Sequence, residues 1–176
     1  MSSLRFISET NLTSSVSSFS VDNIFNEDFD IYKIIVTDTQ TTGSTAVDIH
    51  GRLISSGGSI DSSANYDYAF HRLLPNTNFQ TDNRNANETY AEDLIYTAKD
   101  GFSSANNVIY VFNPYNPNTY TFIMQQSSVS EDGAYRGQKY MAVHTVLGRY
   151  RGINFLEVNS RPFEGSKVLV YGLRID

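Results

Sequence analysis

Three histidines, nineteen Asp and Glu residues and many serines are the groups with which this 176-residue chain could do chemistry. His50, His71 and His144 lie far apart. A helical metal pair needs imidazoles roughly three to five residues apart, so none exists here. His50 and His144 each fall inside a strand pattern, where a packed or surface imidazole is the plainer reading. Among the carboxylates, Asp28 and Asp30 flank Phe29, and Glu131 adjoins Asp132. Hydrolysis of a glycosidic bond needs two carboxyls about 5–9 Å apart across the sugar. Neighbours on a strand or turn point apart, so these read as solvated turn acids. Asp61 and the Asp82-Asn83 segment offer loop oxygens to calcium, but without EF-hand spacing. No Gly-x-Ser-x-Gly elbow occurs. Gly57-Gly58 lacks the following lysine and the strand–helix context of a phosphate cradle.

The absence of cysteine excludes disulfides, thiolate metal sites and a cysteine nucleophile. Asn11-Leu12-Thr13 and Asn87-Glu88-Thr89 match the glycosylation sequon. The start of the chain lacks the apolar run of a secretory signal, so both are expected to stay bare. The expectation from this survey is a chain that is not an enzyme, with no catalytic residue, no metal and no cofactor.

The elements that would position such groups read as strands. Tyr32, Ile34 and Val36 alternate with Ile31, Lys33 and Ile35, the pattern of a central strand buried on both faces. Val108 to Phe112 and Thr119 to Met124 alternate likewise and flank Asn113-Pro114-Tyr115-Asn116-Pro117-Asn118, which predicts a hairpin. The same rule marks Leu4 to Ile7, Val16 to Val21, Ala46 to Ile54, Tyr66 to Leu73, Tyr140 to Val146, Ile153 to Val158 and Lys167 to Ile175. About ten strands with turn residues between them predict one all-β domain over residues 1–176, an antiparallel two-sheet sandwich of jelly-roll type. Asn87 to Ala98 is the one window compatible with a helix, and it reads equally as loop plus short strand. Ser55–Ala64, Asn76–Asn87 and Ser127–Gly137 read as surface loops.

Composition narrows the partners. The net charge is −6 and no Lys/Arg run occurs, so no nucleic-acid partner is expected. No stretch is long enough for a transmembrane helix, so no membrane partner is expected. The bias is aromatic, with 12 Tyr, 11 Phe and no Trp. Tyr66, Tyr68 and Phe70 alternate as the core face of a strand, and Tyr66 is also an interface candidate. Tyr115 sits between two prolines and Tyr135 follows an acidic turn; both are candidates for an interface or a ligand. Leu4 and Phe6 mark either a docking strand or the ordinary first strand of the sandwich.

The order of features resembles a known class. A serine-rich start, Thr13-Ser14-Ser15-Val16-Ser17-Ser18-Phe19-Ser20, precedes the turn Asn26-Glu27-Asp28-Phe29-Asp30. The strand Ile31-Tyr32-Lys33-Ile34-Ile35-Val36-Thr37-Asp38 follows. The chain closes on Gly165-Ser166-Lys167-Val168-Leu169-Val170-Tyr171-Gly172-Leu173. This layout resembles the jelly-roll-like β-sandwich virion proteins of tailed bacteriophages, found in tail fibres, receptor-binding proteins and head decoration. The resemblance implies a virion structural protein, made in the host cytoplasm, that decorates a capsid or sits on a tail. Its implied partners are other virion proteins and further copies of itself, with a trimer expected. The alternative it implies is a host-binding module that recognises a surface glycan or protein.

Overall fold

Side chains that alternate with a period of two must segregate to opposite faces of a sheet. The computed structural model of the chain, which describes residues 3–41, 46–75, 81–98, 105–131, 134–159 and 161–174, builds its architecture on that rule. The described residues form strands and no helix. In chain order these are β1 Ser3–Asn11, β2 Ser18–Val21, β3 Ile31–Thr37, β4 Gln40–Thr41, β5 Asp48–Ser55, β6 Tyr66–Leu73 and β7 Thr81–Glu88. There follow β8 Ala91–Tyr96, β9 Ala105–Phe112, β10 Thr121–Glu131, β11 Ala134–His144, β12 Tyr150–Leu156, β13 Phe163–Glu164 and β14 Lys167–Arg174.

Eight strands make the larger sheet, in the order β1-β14-β3-β9-β10-β11-β6-β7. Four make the smaller, β2-β12-β5-β8, and β4 pairs with β13 in a short ribbon. Neighbouring strands run antiparallel throughout the larger sheet. The same holds in the smaller one. The fold is therefore the antiparallel all-β sandwich that the alternation predicts. The inner face of the larger sheet supplies Tyr32, Ile34, Val36, Ile109, Val111, Ile123, Val168 and Val170. The smaller sheet answers with Ile49, Leu53, Leu94, Ile153 and Phe155. Close packing of two such layers excludes water from about twenty-five large side chains and is the main source of stability.

Three expectations change. The window Asn87 to Ala98 holds the end of β7 and all of β8, not a helix, because Leu94 and Ile95 are needed by the core. The polar run after Asn76 is, from Thr81 onward, an edge strand; polar side chains suit an edge that faces water. Residues 76–80 of that run lie outside the described residues. The third loop is the end of a long hairpin, with Val129 paired to Arg136 and Ser130 to Tyr135; residues 132–133 lie outside the described ones. The loop at Ser55–Ala64 and the hairpin of β9 and β10 are as read.

His144 is fully buried and is a structural cross-link. Its Nε2 lies 3.0 Å from an Asp61 carboxylate oxygen, and its Nδ1 2.9 Å from the Tyr150 hydroxyl. Gly172 marks the tightest point of the larger sheet's inner face. A Cβ there would come within 2.5 Å of the Phe29 ring, which packs edge-on against Tyr32. Gly172→Ala is expected to cost about 1–3 kcal/mol in denaturant unfolding, as overpacking of a filled core does. Gly57→Ala, whose Cβ would meet nothing nearer than 3.9 Å, is the matched control and should change stability by less than about 0.5 kcal/mol.

Candidate functional site

At the outer edge of the smaller sheet, β5 and β8 fall out of step. Ile49 pairs with Ile95 and Gly51 with Ala91, so His50 alone stands against Glu92, Asp93 and Leu94. Such a bulge frees backbone groups from the ladder and re-aims side chains. Asp93 takes the left-handed conformation at its turn (φ 55°), which a short polar side chain tolerates. Its freed N–H donates to His50 Nδ1 at 3.1 Å. The His50 ring stacks on Tyr90, centroids 4.4 Å apart. Glu157, just past β12, closes the site from the third strand. Its Oε2 accepts the backbone N–H groups of Asn159 at 2.7 Å and Arg161 at 2.8 Å. A polar cavity of about 310 Å³ lies between these groups, bordered also by Asp48 and Glu92.

A line of buried polar groups ties this site to the larger sheet. Arg72 of β6 donates to an Asp93 carboxylate oxygen at 2.7 Å and lies 3.5 Å from Asp48. Its Nε reaches Gln138 at 3.2 Å, and Gln138 Nε2 donates to the Asp93 carbonyl at 2.9 Å. Gln125 and Asn107 continue the line, and Asn107 exchanges two bonds with the backbone of Tyr96, each 3.1 Å. Buried amides are tolerable only when paired, and these pair with one another within the larger sheet and with the β8 backbone across the interface.

Burial sets the protonation of the site. Burial, with the Asp48 charge beside it, pushes the Asp93 carboxyl up to about 8, against the pull of Arg72. Burial also raises Asp48, and burial together with Asp48 raises Glu92. Burial lowers His50 to about 4, so the imidazole is neutral near pH 7. With Nδ1 accepting from Asp93, the ring proton is on Nε2. A neutral carboxylic acid beside a carboxylate and a neutral imidazole can hold or move a proton near neutral pH. The sequence survey expected no converging acid–base set. The fold assembles one, because the bulge and the strand ends bring together groups from three distant segments of the chain, Asp48 with His50, Glu92 with Asp93, and Glu157.

The second feature is the outer face of the larger sheet. Register places Phe6, Tyr171, Lys33, Tyr110, Met124, Met141 and Ala69 in one row across seven strands. The next row holds Leu4, Leu173, Ile31, Phe112, Phe122 and Val143. Leu4, Phe6, Tyr110, Phe122, Met124 and Met141 are each between 36% and 56% exposed. Patches this broad and apolar are uncommon on isolated domains and mark interaction surfaces. Charged and polar groups border the row: the Glu9–Lys167 ion pair at one end, His71 bonded to Asp82 and Arg84 at the other.

The aromatic candidates from sequence are scattered by the fold. Tyr66 is fully buried, its hydroxyl accepting the Leu53 N–H, so it has no surface to offer a partner. Tyr115 is half-buried at the β9–β10 turn, 5.8 Å beneath the Arg149 guanidinium. Tyr135 is exposed beside Val129 and Leu73, at the far end of the β10–β11 hairpin. Leu4 and Phe6 lie in β1, an edge strand, and belong to the apolar outer face.

The class defined by this architecture is the antiparallel β-sandwich. No protein-family model matches the chain, and no curated protein matches it. Among solved structures it is similar to a PL-14 alginate lyase from the marine Aplysia kurodai, at 9% identity and a TM-score of 0.39, over 98% of this chain and 82% of that one. It is also similar to the CBM2 module of the evolved Dit of Lactobacillus casei BL23 phage J-1. There the identity is 9% and the TM-score 0.28, over 90% of this chain and 69% of the other. A third likeness is to infectious bursal disease virus, Gx strain, at 15% identity and a TM-score of 0.17, over 98% of this chain and 36% of that one. All three TM-scores fall below 0.5, so none carries an argument about what this chain does. The expectation that the chain is not an enzyme is corrected: a lyase stands among its structural neighbours, and that expectation is withdrawn.

Proposed function

We propose that this chain is a structural subunit of a virus particle, of the tailed-phage kind its sequence resembles, held by the outer face of its larger sheet. What supports the reading is the row from Phe6 to Met141 together with the row from Leu4 to Val143. A central strand of a free-standing sandwich needs polar residues on its outer face. Here β3, β9, β10, β11 and β14 turn Ile31, Phe112, Phe122, Val143 and Leu173 to that side. Aromatics and methionine at the centre, with charges around them, is the anatomy of a protein interface.

The occupant is a second copy of this chain. Half-exposed side chains of this size and their neighbours offer on the order of 800 Å² of apolar surface, the share each partner brings to a standard interface. A mixed-sign border lets the face meet itself about a twofold axis without repulsion. The measurement is sedimentation velocity of the full chain at micromolar concentration, followed by imaging of intact particles. A mass of two or more chains, and density for this sandwich on a head or tail, is the expected result. A monomer throughout, with the same face binding polysaccharide on a glycan array, would replace this reading by the host-recognition one.

A further inference from the structure

The cavity at the β5–β8 bulge holds two buried carboxylate oxygens with no donor. Glu157 is 6% exposed, and while its Oε2 takes two backbone N–H groups, its Oε1 has no partner among the described residues. Asp48 Oδ1 is buried and likewise unpartnered. Both residues border the same cavity of about 310 Å³. Leaving a buried acceptor unpaired costs more than a made bond returns, so such atoms ask for a donor. The protein's own nearby cations do not supply it. Arg72 is committed to Asp93 and Asp48 Oδ2, and Arg161, at the rim, is exposed.

We infer that this cavity is a binding site for a small organic cation bearing N–H donors, an alkylammonium, whose N–H groups donate to Glu157 Oε1 and Asp48 Oδ1. The donor set argues against a bare metal ion. Among the described residues no group of three or more His, Asp or Glu gathers closely enough to hold one. Dispersed acceptors suit a ligand with several N–H bonds and some length. Tyr90 and Val158 line the cavity beside the acids and give an alkyl chain apolar surface. The volume is at the low end for ligand sites, which fits a short aliphatic amine. Arg161 opposes a cation only from the solvated rim, where salt screens it. This site and the apolar face lie on different sheets, and the inference does not depend on how the face is used.

The probes are butane-1,4-diamine, its neutral counterpart butane-1,4-diol, and calcium chloride, each titrated calorimetrically into the full chain at pH 7. The diamine is expected to bind saturably with a Kd below about 1 mM, and the diol not at all. Glu157→Gln and Asp48→Asn keep the shape of the side chains and remove the charge. Each should weaken the diamine by at least about tenfold while the far-ultraviolet circular dichroism stays that of the parent. Two variants are used so that a folding defect in one leaves the other informative. Equal heats from diol and diamine, diamine binding unchanged in the folded variants, calcium binding alone, or no heat from any probe would each overturn the inference; the last means that the two oxygens are served by water.

Discussion

Met124→Glu will leave the chain monomeric at concentrations where the parent self-associates. Met124 lies at the centre of the outer face, half-exposed, directly opposite Met141 on one side and Tyr110 on the other. In a twofold contact each substitution acts twice. A carboxylate carried into the centre of an apolar interface loses its hydration and finds no donor, and truncations at interface centres alone already cost about 2 kcal/mol or more. The association constant should therefore fall by at least about a hundredfold. The fold should be untouched, because in the isolated chain the new carboxylate remains in water. Sedimentation velocity reads the first effect and the melting curve the second. A variant that still dimerises, or a parent that never does, removes the outer face from the argument.

The second large effect is in the pH dependence of stability. Asp93 is raised to about 8 in the folded chain, by burial and then by Asp48, against an ordinary value of 3.8. Between those limits the folded state holds a proton that the unfolded state has released. Stability from this group is thus full below about pH 4 and is lost as pH rises through about 8. His50 acts oppositely. Lowered to about 4 from 6.5 by burial, it makes the folded state resist a proton that the unfolded state accepts, so stability rises between those values. The two slopes offset each other up to about pH 6.5. Above it the Asp93 slope is unopposed by His50, the raised Asp48 and Glu92 act in the same direction as Asp93, and stability should fall by about 1–2 kcal/mol between pH 6.5 and 8. Asp93→Asn keeps a neutral acceptor for Arg72 and should flatten that limb. Urea unfolding at half-unit pH steps checks it, and an unchanged limb in the variant would assign the decline to another group.

The sandwich was legible because alternation is a local signal. Tyr32, Ile34 and Val36 announce their face without reference to any other strand, and the proline-rich turn at Asn113–Asn118 announces the hairpin. The edge strand β7 was not legible. Its run of Thr, Asp, Asn and Arg has the composition of a loop, and only pairing with β6 makes it a strand. The outer face was visible as residues but not as a surface. The alternation of Val108–Phe112 and Thr119–Met124 is read from the sequence, with the second strand starting at Thr121, yet which of the two faces meets the core depends on the second sheet. The acidic cavity was the least legible. Asp48 and His50 come from β5, Asp93 from β8 and Glu157 from just past β12, and their meeting depends on a register slip that no spacing in the chain records. The one available signal is the acidic pair Glu92-Asp93 set directly before the apolar Leu94-Ile95-Tyr96, in a window that reads from sequence as a helix or as loop plus short strand.

The placement of β14 between β1 and β3 has a consequence for how the molecule is made. Ser3 is partnered by Arg174 and Thr37 by Lys167, so two strands share a neighbour that lies 130 to 171 residues further along the chain. Until that segment leaves the ribosome, β1 has no ladder to join, and β3 exposes one edge of a strand whose Ile34 and Val36 belong to the core. Ordering must therefore wait for contacts of very large sequence separation, which is the slow way to fold. Until β14 is made the nascent chain carries an open, sticky edge, which makes it a natural client of chaperones that shield such edges.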